Sequence, residues 1–181
     1  MPDAVIAPCR PDDLPAIVDL VNAAYRGTSG QTGWTSEVGY IDGQRTSLGD
    51  LRRDLAADTR PVLLSLRQSE AGEILACALI EHSRGKDGAE VAYIGMVTVR
   101  PDQQAGGIGR KILQAAEDFA RERGAVRARM TVVSIRDTLI AWYERRGYRL
   151  TGEQQPFPYD DTRFGVPRHP GLEFVVLEKA L

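Results

Sequence analysis

The chain contains very little cysteine and histidine, and this scarcity excludes two classes of site. Its 181 residues include 2 cysteines, Cys9 and Cys77, and 2 histidines, His82 and His169. Two cysteines are too few for the disulfide framework of a secreted domain, and a structural zinc site needs about four clustered nitrogen and sulfur ligands. We therefore expect no metal in the functional site. Because Cys77 lies within an apolar run, we expect it to be a reduced core residue.

A strong excess of charge and long apolar runs are also missing. The formal net charge is −2, so the chain lacks the cationic excess typical of nucleic-acid binding. No apolar run approaches the ~20 residues that cross a membrane. We therefore expect neither nucleic acid nor a membrane as a partner, and a cytoplasmic location. With 43% hydrophobic and 27% charged residues, the composition predicts a single globular domain over residues 1–181.

The spacing of the apolar residues predicts an alternation of strands and helices. The predicted strands cover residues 5–7, 61–67, 73–81, 90–99, 127–134, 148–153 and 172–178. The predicted helices begin near Pro11, Ser47, Ile108 and Arg136. Two long polar connections, residues 27–49 and 154–171, are typical of functional or mobile loops. This order predicts a mixed α/β sheet with helices on both sides rather than a regular βαβ winding.

The most informative local pattern is a glycine-rich turn between a strand and a helix. The apolar run Val91–Val99 ends at Arg100-Pro101, and Gly106, Gly107 and Gly109 precede an amphipathic helix. Such a turn directs backbone N–H groups and a helix N-terminus toward a phosphate. A dinucleotide fold would need an acid about 20 residues further on, and a P-loop would need Lys followed by Ser or Thr, so neither fits. A tight turn without any ligand remains the alternative.

This turn, Gln104–Gly109, resembles the Gln/Arg-x-x-Gly-x-Gly/Ala signature of the GNAT superfamily of N-acetyltransferases. Residues 97–101 resemble the strand end that carries acetyl-CoA in that superfamily, and residues 10–25 and 139–148 resemble its first and late helices. Other segments, 33–46 and 159–168, are similar to a bacterial subgroup of unknown substrate. The resemblance implies a GNAT-like three-layer α/β/α fold, whose mixed and mostly antiparallel central sheet is splayed in the middle.

The resemblance implies acetyl-CoA as the cosubstrate. In the superfamily, backbone N–H groups of the turn hold the pyrophosphate, and the pantetheine arm pairs with the long strand. Gly95 interrupts that strand, which predicts a bulge that opens a slot beside residues 127–134; a small residue under a helix is the alternative. The predicted cofactor-binding residues are Met96, Val97, Val99, Gln104, Ala105, Gly106, Gly107, Ile108, Gly109, Arg110 and Ser134. In one departure from the superfamily, Arg136-Asp137 stands where many members have Asn.

Catalytic roles follow from the resemblance and from the chemistry of amine acylation. Tyr143 corresponds to the general acid that protonates the departing thiolate, and a backbone N–H near Val97 would stabilise the oxyanion. The amine must also lose a proton, and the candidate carboxylate bases are Glu81 and Glu90, which lie at strand ends. Histone-type members have a catalytic Glu where this chain has Tyr93, so histone acetylation is not expected. Tyr93 with a water relay is another candidate base.

Together these patterns predict an acetyl-CoA-dependent N-acetyltransferase that acts on a primary amine of a small molecule by direct attack in a ternary complex. Neither cysteine has an activating His or cation nearby in the sequence, which disfavours an acyl-cysteine intermediate. The candidate substrate contacts are Trp34, Glu37, Tyr93 and Arg163. Acidic loop residues would suit a cationic substrate, and Arg45 and Arg163 would suit a carboxylate, so the sequence does not choose. A non-catalytic acyl-CoA sensor is the alternative function, and a homodimer is one candidate assembly.

Overall fold

The computed structural model describes residues 4–27 and 33–181. The strands are β1 (Val5–Pro8), β2 (Ile41–Asp42), β3 (Val62–Arg67), β4 (Ile74–Arg84), β5 (Glu90–Val99), β6 (Arg127–Val133), β7 (Arg149–Pro156), β8 (Val166–Pro167) and β9 (Glu173–Ala180). The α-helices are α1 (Leu14–Arg26), α2 (Leu48–Leu55), α3 (Ile108–Glu122) and α4 (Asp137–Glu144). Short 3₁₀ turns cover Pro11–Asp13, Pro101–Gly106 and Thr162–Phe164. No helix of the described residues is both long and apolar enough to span a membrane.

Seven strands form one sheet in the order β1-β3-β4-β5-β6-β9-β7. All neighbours run antiparallel except β5 and β6, which run parallel. The strands β2 and β8 form a separate antiparallel pair that joins the two long connections. The predicted mixed and mostly antiparallel sheet is therefore confirmed.

Helices cover both faces of the sheet because successive residues of β3 and β4 point to opposite sides. The cluster under α1 and α2 contains Ile17, Leu51, Leu63, Cys77 and Leu79. The cluster under α3 and α4 contains Leu64, Ala78, Ile80, Ile112 and Ile140. This alternation produces the predicted three layers.

The sheet splits between β5 and β6. Only three residue pairs join these strands, and the last pair is Tyr93 with Arg129. The register between β4 and β5 shifts in the same region, because Leu79 pairs with Gly95 whereas Cys77 pairs with Thr98. One extra residue on β5 is a bulge, which bends the strand away from its neighbour.

The bulge lies next to Gly95, where the sequence predicts it, and its backbone strain falls on the following residue. The residue in the left-handed region is Met96, with φ 51°, rather than Gly95. Gly95 is needed for space, because a Cβ built on it would lie 2.9 Å from Cε1 of Tyr93. A non-glycine residue held at positive φ costs of order 1–3 kcal/mol. The surrounding sheet therefore has to impose this conformation on Met96.

Several element ends also differ from the predictions. Strand β4 continues through His82 to Arg84, so the hairpin turn begins later, where the Gly85 N–H donates to the Ala89 carbonyl at 2.8 Å. Strand β7 extends to Pro156, into the segment predicted as a loop. Residues 154–156, Gln-Gln-Pro, lack the apolar alternation that would reveal the end of this edge strand.

A buried carboxylate ties α3 to the end of the chain. Glu117 on α3 is 1% exposed. It accepts hydrogen bonds from the Tyr148 hydroxyl at 2.9 Å and from the Lys179 ammonium group at 2.6 Å. A buried charge of this kind is tolerated because both partners compensate its lost hydration.

Replacing Lys179 with methionine should leave Glu117 as an unpaired buried charge. We expect the free energy of unfolding to fall by about 3 kcal/mol. The double variant Glu117→Gln/Lys179→Met removes both charges and should lose less than the single variant. Urea unfolding of the three proteins measures the difference, and equal losses in the two variants would contradict this account.

Candidate active site

A cavity of about 590 Å³ lies where β5 and β6 separate. Its walls come from both splayed strands, from α4 and from the long connections. The ionisable side chains that line it are Tyr25, Glu37, Arg45, Glu81, Tyr93, Arg129, Arg136 and Tyr143. Within residues 4–27 and 33–181, no group of three or more metal-ligating side chains lies together.

The glycine turn stands at the end of β5 and begins α3. Gly107 adopts the left-handed conformation with φ 73°, and the first hydrogen bond of the helix runs from the Lys111 N–H to the Gly107 carbonyl at 3.2 Å. Helix geometry leaves the N–H groups of Ile108, Gly109 and Arg110 without acceptors inside the helix. These donors lie at the positive end of the helix dipole, so the turn has the chemistry that binds a phosphate.

The side chain of Gln104 has a structural role in this turn. Its Oε1 accepts the Trp34 N–H at 2.7 Å, and its Nε2 donates to the Val99 carbonyl at 3.1 Å. A Cβ on Gly33 would lie 2.2 Å from Gln104 Nε2, so only glycine fits beside this amide. Gln104 therefore ties residues 33–37, which we call the strap, to the end of β5.

Arg136 holds the strap from the other side. It is 8% exposed, and its guanidinium donates to the carbonyls of Trp34 at 2.5 Å and Thr35 at 3.3 Å. The sequence marks Arg136 only as the residue that stands where many members of the superfamily have Asn. Because an arginine at this position can satisfy two carbonyls of a distant loop, it compensates the burial of the strap backbone.

Trp34, a predicted substrate contact, lies beside the glycine turn and does not line the cavity. Its ring stacks on Trp142 with 4.7 Å between the ring centroids. A Cβ on Gly109 would lie 3.2 Å from Trp34 and 3.4 Å from both Trp142 and Val99. Gly109 therefore leaves room for the indole pair, which packs directly against the first turn of α3.

Three tyrosines surround the cavity, and each is held differently. Tyr143 packs edge-to-face against Trp142 and Tyr148, at centroid distances of 5.0 and 5.7 Å, and its hydroxyl has no hydrogen-bond partner among the described residues. The Tyr25 hydroxyl donates to the Val97 carbonyl at 3.5 Å, and the Tyr93 hydroxyl shares a 2.7 Å hydrogen bond with Thr131 across the splay. Burial raises the pKa of Tyr143, so its phenol keeps its proton at neutral pH.

The two candidate carboxylate bases occupy different places. Glu81 lines the cavity, pairs in register with Tyr93, and has no ion-pair or hydrogen-bond partner among the described residues. Burial raises the pKa of Glu81, and the negative charge of Asp54 raises it further. Glu90 lies at the far end of β5, where it pairs with Arg84 at 3.0 Å and does not line the cavity.

The remaining predicted residues divide between the cavity and its surroundings. Met96 and Val97 line the cavity, whereas Val99 is buried beneath the glycine turn. Glu37 lines the cavity but is ion-paired with Arg26. Ser134 follows β6 and donates its N–H to the Glu173 carbonyl at 2.8 Å, outside the cavity.

Arg163 is also outside the cavity. It pairs with Asp161, two residues earlier on the same exposed turn. Phe164, the next residue, does line the cavity. The connection between β7 and β9 therefore contributes the aromatic side chain of Phe164 to the cavity wall, whereas Arg163 lies outside the cavity.

The comparisons with known proteins agree with this arrangement. The model of the acetyltransferase (GNAT) family matches residues 20–148. The search of curated protein sequences gives no significant match.

Solved structures share the fold at low sequence identity. Ribosomal-protein-alanine N-acetyltransferase from Brucella melitensis aligns with 19% identity and a TM-score of 0.70, covering 98% of this chain and 99% of that one. The protein yncA from Salmonella typhimurium, solved with its cofactor acetyl-CoA, aligns with 20% identity and a TM-score of 0.68, covering 98% of this chain and 94% of that one. Since the family model covers most of the chain and the fold agrees, this protein belongs to the GNAT family and is an acetyl-CoA-dependent acyltransferase.

Proposed function

We propose that this single domain transfers the acetyl group of acetyl-CoA to a primary amine of a small molecule, by direct attack within a ternary complex. The observation that carries the proposal is the cavity at the splay, where Glu81 and Tyr143 line the same space. These two side chains supply the two proton transfers that amine acylation requires.

The cofactor would occupy the gap that the parted strands leave. Its diphosphate fits the N–H groups of Ile108, Gly109 and Arg110, and its extended arm fits the backbone of β5 from Met96 to Val99. The bulge at Met96 supports this placement, since it turns β5 away from β6 and frees the strand edge. Side-chain contacts of Gln104 serve the strap, so we assign only its backbone to the cofactor.

Glu81 is the proposed general base, directly or through a water. An alkylamine with a pKa near 10 is neutral in about one molecule in a thousand at pH 7, a handicap of roughly 4 kcal/mol. A carboxylate without a cationic partner keeps its basicity, and the raised pKa of Glu81 brings it nearer to working pH. Glu90, bound to Arg84 beyond the cavity, takes no part in this chemistry.

Tyr143 is the proposed general acid. Its hydroxyl has no competing partner among the described residues, and burial keeps the phenol protonated. A phenol in this state can protonate the thiolate as the carbon–sulfur bond breaks. The N–H of Val97, in the bulge, is the proposed donor to the oxyanion, an interaction typically worth roughly 3–4 kcal/mol.

Direct attack is supported by the state of both cysteines. Burial raises the pKa of Cys9 to about 11 and that of Cys77 to about 12. Both thiols are therefore protonated at neutral pH and are poor nucleophiles. A covalent acyl-cysteine has no support from this environment.

Replacing Tyr143 with phenylalanine tests the proposed function as a whole. In an assay of free-thiol release with a panel of primary amines and peptides, we expect turnover with small amines and a kcat lowered by about 10²-fold or more in Tyr143→Phe. The KM for acetyl-CoA should change little, because the phenyl ring keeps its packing. Turnover with peptides alone would contradict the small-molecule assignment. An unchanged rate in a variant that still binds CoA would favour the acyl-CoA sensor.

Replacing Glu81 with glutamine tests the base. On the acidic side of the pH–rate profile, the rate should rise with pH as Glu81 loses its proton. The midpoint of this acidic limb should lie above the usual glutamate pKa of about 4.3, because the pKa of Glu81 is raised. In Glu81→Gln, we expect kcat/KM for the amine to fall by about 10²-fold and the limb to disappear. Because the folded protein holds the Glu81 proton more tightly than the unfolded chain, stability falls as pH rises through this range, and the neutral variant should be no less stable at pH 7.

Glu90→Gln is the matched control for that experiment. It removes the same charge at the other candidate position, and its pH profile should keep the wild-type shape. A profile altered equally by both substitutions, or by Glu90→Gln alone, would contradict the assignment of Glu81.

The two tryptophans provide a direct test of cofactor placement. Trp34 and Trp142 are the only 2 tryptophans of the chain, and they stack against Gly109. Titration with CoA should therefore change the intrinsic tryptophan emission, whereas pantetheine, which lacks the diphosphate, should bind far more weakly. The Trp34→Phe variant should lose most of this change. Calorimetric binding of CoA without any change in emission would contradict the placement.

A further inference from the structure

The walls of the cavity carry five charged side chains, and three of them already have ion-pair or hydrogen-bond partners within the protein. Glu37 is paired with Arg26, and Arg129 lies between Glu153 at 2.6 Å and Glu178 at 2.9 Å. Arg136 donates to the carbonyls of the strap. The other two, Arg45 and Glu81, have no ion-pair partner among the described residues.

The backbone that carries Arg45 is fixed by a buried amide. Asn22 of α1 is 8% exposed, and its Oδ1 accepts the N–H groups of Arg45 at 2.7 Å and Thr46 at 3.3 Å. Its Nδ2 donates to the Thr46 carbonyl at 2.9 Å. A buried Asn that uses both ends of its amide on one dipeptide holds that part of the loop against the helix.

The side chain of Arg45 is positioned by an aromatic ring. Its guanidinium carbon lies 5.4 Å from the centre of the Tyr25 ring, and the Tyr25 hydroxyl reaches the Val97 carbonyl in the bulge. A guanidinium placed over a ring keeps its N–H groups available at its edge. Arg45 therefore presents donors to the same cavity in which the acyl transfer is placed.

An arginine held in this way suits a planar anion, since its paired N–H groups match the two oxygens of a carboxylate. Resting on the function proposed above, we propose that the acceptor is an amine that also carries a carboxylate, such as an amino acid, and that Arg45 binds this carboxylate while the amine lies toward Glu81. A polyamine fits less well, because Arg45 would repel its second cation.

Matched acceptors test this inference. Amino acids, their carboxamides and their decarboxylated amines would be compared by free-thiol release at saturating acetyl-CoA. We expect kcat/KM to be about 10- to 100-fold higher for the acids, the range for a hydrogen-bonded charged group. Arg45→Gln should remove most of this preference by raising KM for the acids, with KM for acetyl-CoA unchanged, and Arg45→Lys should restore part of it.

Arg52→Gln is the control, because it removes one positive charge from an exposed position on α2. It should keep the preference for acids. Equal use of acids and amides, or a preference that survives in Arg45→Gln, would overturn the inference. A stronger preference for aminoalkyl phosphates or diamines would overturn the carboxylate assignment as well.

Calorimetry of amino-acid binding to the CoA complex separates this inference from the proposed function. Binding that depends on Arg45 but gives no turnover with any acceptor would refute acetyl transfer to these amines and leave the carboxylate site standing. Turnover without a preference for acids would refute the carboxylate site alone. If the protein shows neither amino-acid binding nor turnover, both the carboxylate site and the proposed acetyl transfer are refuted.

Discussion

The interruption of main-chain pairing between β5 and β6 is the constraint on which the rest of the structure depends. Three residue pairs join the strands before the left-handed backbone of Met96 turns β5 aside. Strand edges that separate inside a protein leave N–H and carbonyl groups to be satisfied in another way, and an extended substrate arm can satisfy them. Under the proposed function, sheet geometry therefore sets the place of reaction, and the side chains of the cavity refine it.

Features encoded locally could be predicted from the sequence. The glycine turn, the amphipathic α3 and the apolar run of β5 each have a pattern that is complete within a short segment, and all three are found where they were expected. Gly95 predicts the bulge because a glycine within a strand often marks a bulge or a close backbone approach. The structure uses that glycine to make room for Tyr93 and places the strain on Met96, a choice that depends on the neighbouring strand and is invisible in the sequence.

Features that depend on distant contacts could not be predicted. Nothing near Trp34 in the sequence indicates that Gln104 and Arg136 hold its backbone from two sides. Likewise, Glu81 and Glu90 look alike as acids at strand ends. They differ only because the fold pairs one with an arginine and leaves the other facing a cavity. Partner choice in the folded chain, rather than residue type, therefore distinguishes the proposed catalytic carboxylate from the ion-paired one.

The strap and the residues that follow it, up to Arg45, lie between the two proposed substrate positions. Trp34 packs against the glycine turn, and Glu37 and Arg45, further along the same continuous segment, line the cavity. Gln104 anchors one end of this segment, and Asn22 anchors the other. In the proposed ternary complex, the cofactor and the acceptor would both lie against this segment, so a shift at one anchor would move backbone that the other reactant contacts. A segment shared in this way is a physical basis for synergy between the affinities of the two reactants.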